Sequence, residues 1–443
     1  MNAVQNTATD LHEVLRMGRQ QIAGEAPGAD WLSALRERAA EAAAGMALPD
    51  RRQEDWRYTP LSFLDRTAFR PAPEVAFDAV QLSDIEDLLL EDSDALRLVF
   101  VNGHLVRALG QTAALPEGVV VASLGGALGA VPEALQRELG QVAERRNLFT
   151  ALNGALMSDG ALIQVAAGVA CERPIELLHV SIGLDDPAIC HPRHLLVLGE
   201  GASAQVIERY CSLGEAAYFN NALVEVTLQP GAELVHERLQ EESGQAQHLT
   251  DLHVRLGRGS RYRLNHVGLG AAWSRTDVRV LFDGEEAQAE LNGLMLAADQ
   301  QLNDVHLDVQ HRVPGCISRE TFKGILDGRG KVVFDGRILV AKDAQKSDAQ
   351  LSNDNLMLSR SAEVDTKPQL EIHADDVKCS HGTTVGELDP NMLFYLRSRG
   401  LPEATARQML CQGFAEAVTG EIESAPLRAR IAARLAARLG VRS

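Results

Sequence analysis

The sequence is poor in aromatic residues and has no long apolar run. Aromatic residues make up 4% of its 443 residues, with only 3 Trp and 5 Tyr. No segment reaches the ~18 apolar residues that a membrane-spanning helix requires. The first residues, MNAVQNTATDLHEVLRMG, contain acids and lack a basic region followed by an apolar stretch, so we expect neither a secretory signal nor a transit peptide. These absences predict a cytoplasmic protein without a membrane partner.

Basic residues are also in the minority. Lys and Arg total 43 against 61 Asp and Glu, which gives a formal net charge of −18 at pH 7. Binding to a nucleic-acid backbone requires clustered Lys and Arg, whereas here the basic residues are interspersed with acids. This excludes nucleic acid as the main partner.

The cysteines are scattered, and none forms a CxxC pair. We therefore expect no self-contained zinc or iron–sulfur site, and reduced thiols are the simplest interpretation. The run GRGKVV at residues 328–333 lacks the spacing and the Ser or Thr of a phosphate-binding loop, so no nucleotide site is expected in this chain. The six cysteines are Cys171, Cys190, Cys211, Cys316, Cys379 and Cys411.

The chain divides into three zones. Hydrophobic residues make up 45% of it, enough for a large core. Residues 1–150 are predicted to form a mostly helical N-terminal domain, and residues 389–443 a C-terminal helical domain with apolar stripes at helical spacing. Between them, residues 151–388 lose the helical period and show short alternating segments bounded by Gly, which is typical of strands.

Local signals place several helices. Asp30 precedes an apolar stripe that Pro49 terminates, and residues 131–148 are predicted to form a second helix started by Pro132. In the C-terminal zone, Pro390 is expected to open a helix that Gly400 closes.

A loose repeat runs through the middle zone. Gly201, Gly231, Gly259 and Gly284 each begin a unit made of a Gly turn followed by an alternating strand, with gaps of 30, 28 and 25 residues. One such unit cannot bury its own apolar face, so stacking of units is expected. A propeller blade needs ~40–45 residues, and the shorter gaps therefore favour a β-helix.

The segment LEIHADDVKCSHGTTVG, residues 370–386, contains the strongest candidates for metal-binding residues. Cys379 and His381 are two apart, so on a strand both side chains point to one face. A thiolate beside an imidazole is half of a site for iron or a sulfide-bridged cluster, and the other ligands would have to come from another chain at a subunit interface. A buried cysteine beside a hydrogen-bonded histidine is the alternative. Asp375 and Asp376 are adjacent, point to opposite strand faces and are interpreted as turn or interface residues.

A second group of metal-binding residue types lies in CHPRH, residues 190–194. No fourth ligand is near, and we interpret this Pro-bearing run as a surface loop rather than a metal site.

Three segments resemble one known family. Residues 320–400 are similar to the carboxy-terminal half of SufD-type chains in the SufB/SufD family of iron–sulfur cluster assembly proteins. RRQEDWRYT at residues 51–59 and HPRHLLVLGEGASAQVIERY at residues 191–210 also resemble that family. SufB-type chains differ because they carry a sulfur-accepting cysteine in the stretch equivalent to NDNLML, residues 353–358, which has none here.

The resemblance implies a mainly β fold with flanking helices, namely a right-handed parallel β-helix between N-terminal and C-terminal helical domains. It implies a non-catalytic subunit of the SUF complex that pairs with SufB through the β-helix and with the ATPase SufC through the C-terminal helices. It also implies that His381 and Cys379 contribute to a transient iron–sulfur cluster shared with SufB. The implied partner-interface residues are Asp375, Asp376, Phe394, Tyr395, Arg397 and Arg399.

Two other functions stay open at this point. A SufB-like chain acting alone as the cluster scaffold would need its own sulfur-accepting cysteine in the β-helix. A polysaccharide-active β-helix enzyme would need acids and stacking aromatic residues along one groove, and 3 Trp and 5 Tyr are few for that role. The isolated chain could also pair with a second copy through an exposed sheet edge.

Overall fold

The structure is a computed structural model that describes residues 8–23, 30–73, 80–112, 115–143 and 147–439. Parts of two sequence predictions, the absence of a leader in the first residues and the end of the helix over 131–148, lie outside these ranges.

Two long sheets form the body. Sheet A contains β1 (Arg70–Pro71), β4 (Val119–Ser123), β5 (Ala161–Val165), β7 (Ala188–Cys190), β8 (Arg193–Leu198), β10 (Tyr218–Leu228), β12 (Gln247–Leu256), β14 (Trp273–Phe282), β16 (Leu302–His311), β18 (Lys331–Val340) and β20 (Glu363–Ile372). Sheet B contains β2 (Leu96–Val101), β3 (His104–Leu105), β6 (Ala170–Ile182), β9 (Ser203–Leu213), β11 (Glu233–Glu241), β13 (Arg261–Gly268), β15 (Gln288–Ala297), β17 (Ile317–Leu326), β19 (Asp348–Met357) and β21 (Lys378–Gly386).

Helices flank this body and pack on the outer faces of its sheets. On the N-terminal side lie α1 (Leu11–Ala23), α2 (Asp30–Ala44), α3 (Leu82–Ile85), α4 (Leu124–Ala130), α5 (Pro132–Glu138) and α6 (Leu148–Leu156), and on the C-terminal side α7 (Pro390–Ser398), α8 (Glu403–Thr419) and α9 (Ala425–Leu439). Short 3-10 turns occur at Glu54–Trp56, Glu86–Leu88 and Arg107–Leu109.

The chain winds as a parallel β-helix of about 8 turns. Each rung contributes one strand to each sheet. In parallel, β5 pairs with β8 and β6 with β9, and from β8 to β19 every strand pairs with the strand two places later. The space between the two sheets, called here the lumen, is filled mainly by Leu, Val, Ile and Ala. This confirms the predicted fold, a parallel β-helix preceded and followed in the chain by helices.

Residues in the left-handed backbone conformation form the turns between rungs. Gly201, Gly231 and Gly259 have φ values of 64°, 68° and 63°, which glycine adopts without steric cost. In the fourth unit Glu286, with φ 60°, takes the equivalent position, so the prediction that Gly284 forms this turn is wrong. Gly284 is constrained differently, because a Cβ there would lie 2.0 Å from a backbone nitrogen of the preceding turn.

Replacing Gly231 with Ala tests the turn geometry. We expect a loss of about 1–2 kcal/mol in the free energy of unfolding, because an L-residue at this φ brings its Cβ against a carbonyl oxygen. Gly413→Ala, at an exposed site inside α8 with open space around it, is the control and should instead stabilise by about 0.5–1 kcal/mol. Urea unfolding measures the change in the free energy of unfolding for both variants. Equal changes would contradict the assignment of Gly231 to a left-handed turn.

Two local predictions are wrong. Residues 131–148 do not form one helix: α5 ends at Glu138, and α6 begins at Leu148 behind a cap in which the Asn147 side chain accepts two backbone N–H bonds. The intervening loop turns away because Glu225 on sheet A accepts its backbone N–H groups, including that of Gly140 at 2.9 Å. A one-dimensional helical pattern does not reveal such a distant acceptor.

The run at residues 190–194 is not a surface loop. Cys190, His191 and His194 are buried, because β7 and β8 are paired on both sides within sheet A and the run adjoins the N-terminal helices. Burial lowers the pKa of His191 to about 3 and that of His194 to about 4, so both imidazoles are neutral core groups.

Candidate functional site

The last rung of the β-helix has open edges. Within the described residues, β20 pairs only with β18, and β21 only with β19. Every residue of the central strand β10 is buried, whereas β21 is exposed along almost its whole length. Edge strands present unpaired backbone N–H and C=O groups. The terminal rung is therefore a surface onto which further strands can add.

Cys379 and His381 lie together on β21. Their register partners on β19 are Ala349 and Leu351, both buried core residues that face the lumen. The two side chains thus share the inward face of the terminal rung, as strand parity predicts. His381 is exposed, while Cys379 is half-buried and packs against the core.

The surroundings of the Cys379 thiol favour its protonated form. Burial raises the pKa of Cys379, and the nearby charges of Asp348 and Glu320 act in the same direction. A cation bound at the sulfur would favour the thiolate that metals require. Within the described ranges, no group of three or more His, Cys, Asp or Glu residues is arranged to hold a metal ion. This pair is therefore at most half of a coordination site.

The two aspartates occupy the turn that precedes β21 and do not join the Cys379–His381 pair. Both are exposed. Asp376 is tied to the turn of the previous rung, because its carboxylate pairs with Lys346 and its backbone N–H donates to the Gln345 side chain at 2.9 Å. Asp375 and Asp376 thus lie at one corner of the open end.

Helix α7 follows the terminal rung and buries none of its residues. Phe394 is 72% exposed and Tyr395 56% exposed, a large apolar surface for a short helix. The two arginines predicted with them make local contacts: Arg397 pairs with Glu403 at 3.3 Å, and the Arg399 guanidinium lies 5.1 Å from the centre of the Tyr395 ring.

The rest of the C-terminal region is fastened to sheet B. Helix α9 buries Leu427, Ile431 and Leu435 against outward-facing residues of that sheet. Glu241 at the end of β11 accepts from three guanidinium groups, those of Arg209, Arg430 and Arg434, at 2.9, 2.5 and 2.7 Å. Burial alone would raise the pKa of Glu241, yet the charges and hydrogen bonds of Arg209 and Arg430 lower it to about 2.

A strap formed by residues 51–59 crosses the outer face of sheet A, which motif reasoning did not anticipate. Trp56 is buried and lies 4.0 Å from the Arg275 guanidinium on β14, and the Thr59 hydroxyl donates to Asp304 at 2.5 Å. Further along, Glu54 pairs with Lys367 on β20. The strap and the strands line an open polar pocket of about 450 Å³, whose acids and bases largely pair with one another.

These features together describe an elongated β-helix whose terminal rung presents an incomplete set of metal-binding side chains. No helix within the described ranges is both long and apolar enough to span a membrane.

Comparisons with known proteins agree over both halves of the chain. Residues 181–414 match the profile described as SUF system FeS cluster assembly, SufBD core domain, and residues 6–177 match the SufBD protein N-terminal region. The chain belongs to the SufB/SufD family of the SUF iron–sulfur cluster assembly system, and within it is SufD-like.

Three relatives illustrate the likeness. The iron–sulfur cluster assembly protein SufD of Escherichia coli is 35% identical over 388 residues, 87% of this chain and 88% of that protein. A SufBD family protein of Synechocystis, slr0076, is 34% identical over 404 residues, 89% of this chain and 88% of its own length. The chloroplastic protein ABCI7 of Arabidopsis thaliana is 29% identical, covering 90% and 84% of the two chains.

Proposed function

We propose that this chain is a non-catalytic SufD-like subunit of a SUF assembly complex. In this proposal it pairs with a SufB-type subunit through the terminal rung and with a SufC-type ATPase through its C-terminal helices. The observation that carries the proposal is the open rung bearing Cys379 and His381 on one face. Membership in the family and the likeness to the E. coli protein named SufD support it.

The edges β20 and β21 suit end-on pairing with another β-helix. Both sheets end at the same rung, so one partner rung can continue both of them by main-chain hydrogen bonds. The inward side chains of the last rung include partly buried apolar residues, Val364, Leu370 and Val377, that pack on the core from one side only. A stacked partner would complete their burial, and a second copy of this chain could do so in isolation.

The ligand pair suits a cluster that is built at the interface and then leaves. Thiolate and imidazole are ligands of iron–sulfur centres, and the iron and sulfide are cargo in this proposal. Two side chains from one subunit hold such a cargo weakly, so the partner must supply further ligands. Asp375 and Asp376 lie at the same open end and are proposed to contact the partner.

The ATPase surface is proposed to include Phe394 and Tyr395 on α7, with Arg397 and Arg399 at its rim. Exposed aromatic residues are frequent anchors of protein interfaces. Because α9 is fixed to sheet B by apolar packing and by Glu241, displacement of the C-terminal helices would be transmitted to the β-helix. The nucleotide site belongs to the ATPase in this account.

Co-expression tests the proposal. The full chain is purified anaerobically with and without its SufB-type and SufC-type partners, and iron and sulfide are measured per complex. We expect a stable complex of all three subunits, with cluster present only in the complex. Stoichiometric cluster on the isolated chain would instead indicate a stand-alone scaffold. Glycan cleavage would indicate a polysaccharide-active enzyme, and a monomer that binds neither partner would contradict all the proposed contacts.

A further inference from the structure

Glu320 is an acid in the lumen close to the terminal rung. It faces inward on β17 and is 1% exposed. No described residue donates a hydrogen bond of regular geometry to its carboxylate oxygens, and the Ser318 hydroxyl on the same strand face is the side-chain donor that acts on it. Its register neighbours are Leu291 on β15 and Leu351 on β19. Native proteins satisfy nine-tenths or more of their buried polar groups. An acid between two leucines, where a third leucine would fit the pattern, therefore points to a role other than stability.

Among the described residues, the groups around Glu320 provide no positive charge in the lumen. The His311 Nε2 atom is hydrogen-bonded to the Ser318 hydroxyl at 3.0 Å, and burial lowers the pKa of His311 to about 4, so this imidazole is neutral. Arg319 faces outward and pairs with Asp348 at 3.0 Å. Burial raises the pKa of Glu320 to about 8, and the Ser318 hydroxyl and the Arg319 charge offset only part of that shift. The carboxyl is thus mostly protonated at neutral pH.

Glu320 is aligned with the proposed ligand pair. The register runs from Glu320 through Leu351 to His381, so one strand separates the acid from the terminal rung. Two strand spacings correspond to about 10 Å, too far for contact and close enough for an electrostatic effect. The charge of Glu320 acts in the same direction as burial in raising the pKa of Cys379, as expected for two groups on the inward faces of nearby strands.

We propose that Glu320 is the internal countercharge for a metal cation held at Cys379 and His381, an inference that rests on the proposed function. When the cation binds, the carboxyl O–H bond breaks and the proton is released to the solvent. The carboxylate then remains about two strand spacings, ~10 Å, from the cation. A partner stacked on the last rung would exclude water from this end, and charges interact more strongly in a medium of lower dielectric constant.

The test is a Co²⁺ titration of the complex formed with the SufB-type and SufC-type partners, comparing the unmodified chain with Glu320→Gln. Calorimetry in two buffers of different ionisation enthalpy reports the affinity and the protons released. We expect the unmodified complex to bind Co²⁺ about twofold more tightly than the variant at pH 7 and about tenfold more tightly at pH 8.5. The difference in affinity grows with pH because a larger fraction of the Glu320 carboxyl is already ionised before the metal binds. The unmodified complex should also release more protons per metal at pH 7.

Two controls distinguish a failure of the Glu320 countercharge from a failure of the proposed ligand pair. Asp343→Asn removes an exposed carboxylate in the turn after β18. The Co²⁺ affinity of the complex with this variant should equal that of the unmodified complex at every pH. His381→Ala should weaken Co²⁺ binding whatever Glu320 does. If His381→Ala weakens binding while Glu320→Gln changes neither affinity nor proton release, the countercharge is refuted and the ligand assignment stands. If His381→Ala has no effect, the ligand assignment itself fails.

Glu320→Leu gives an independent measurement on the free chain. A leucine matches Leu291 and Leu351 and removes a buried carboxyl that no ion pair among the described residues balances, so the thermal midpoint should rise. A lower midpoint would show that the carboxyl is stabilised in the free chain, and it would overturn the inference.

Discussion

Replacing His381 with Ala is expected to reduce cluster formation in the assembled complex at least tenfold, while the complex itself still forms. The imidazole is exposed on the last strand, so its removal leaves the core intact, and surface substitutions of this kind change stability by no more than about 0.5 kcal/mol. Loss of a ligand from a site to which this chain contributes only two side chains removes half of that contribution. Iron and sulfide per complex, measured after anaerobic reconstitution, give the result.

Thr383→Ala is the matched control for this experiment. Thr383 lies two residues further along β21, on the same face and also exposed, yet it offers no imidazole or thiol. Its complex should form clusters at the unmodified yield. Normal cluster yield in the His381→Ala complex, together with loss of SufB-type binding, would show that the residue serves assembly instead of metal binding.

The double substitution Phe394→Ala and Tyr395→Ala should weaken binding of the SufC-type ATPase by at least thirtyfold. Truncation of an aromatic anchor at an interface costs about 2 kcal/mol or more, and about 1.4 kcal/mol corresponds to a tenfold change in affinity. Because α7 buries none of its residues, the thermal midpoint of the isolated chain should not fall. Calorimetry or biolayer interferometry with the isolated ATPase measures the affinity.

Leu82→Ala serves as the control for the α7 experiment. Leu82 is 50% exposed on the short helix α3, so it is a comparable exposed apolar residue outside the C-terminal region. We expect its affinity for the ATPase to be unchanged. Equal losses in the two variants would indicate non-specific apolar contact, and no loss in the α7 variant would place the ATPase surface elsewhere.

Short-range patterns in the sequence predict the β-helix and the shared strand face of Cys379 and His381. The Gly201, Gly231 and Gly259 units recur because each rung needs a left-handed residue at the same corner. Cys379 and His381 share a face because side chains alternate along any strand. Both inferences use only neighbouring residues, and the turn at Glu286 was missed because a non-glycine residue fills the same conformation.

The parts of the site that depend on distant segments could not be predicted in this way. Alternation identifies two faces of a strand but not which face is covered, as Glu176 shows: it faces outward from the lumen and is still fully buried, paired with Arg97 and Arg209. For the same reason the lumen position of Glu320 was not recognised among many acids. The open edges of β20 and β21 depend on where the last rung ends, which no local pattern encodes.

Hydrogen–deuterium exchange on the chain, with and without the SufB-type subunit, tests the central claim most directly. If the terminal rung is where the partner adds, backbone amides of residues 363–372 and 378–386 should become strongly protected in the complex. Those of the already paired strand β10 should exchange as before. Unchanged exchange in both terminal strands of a stable complex would contradict the account, because the ligand pair would then lie away from the interface.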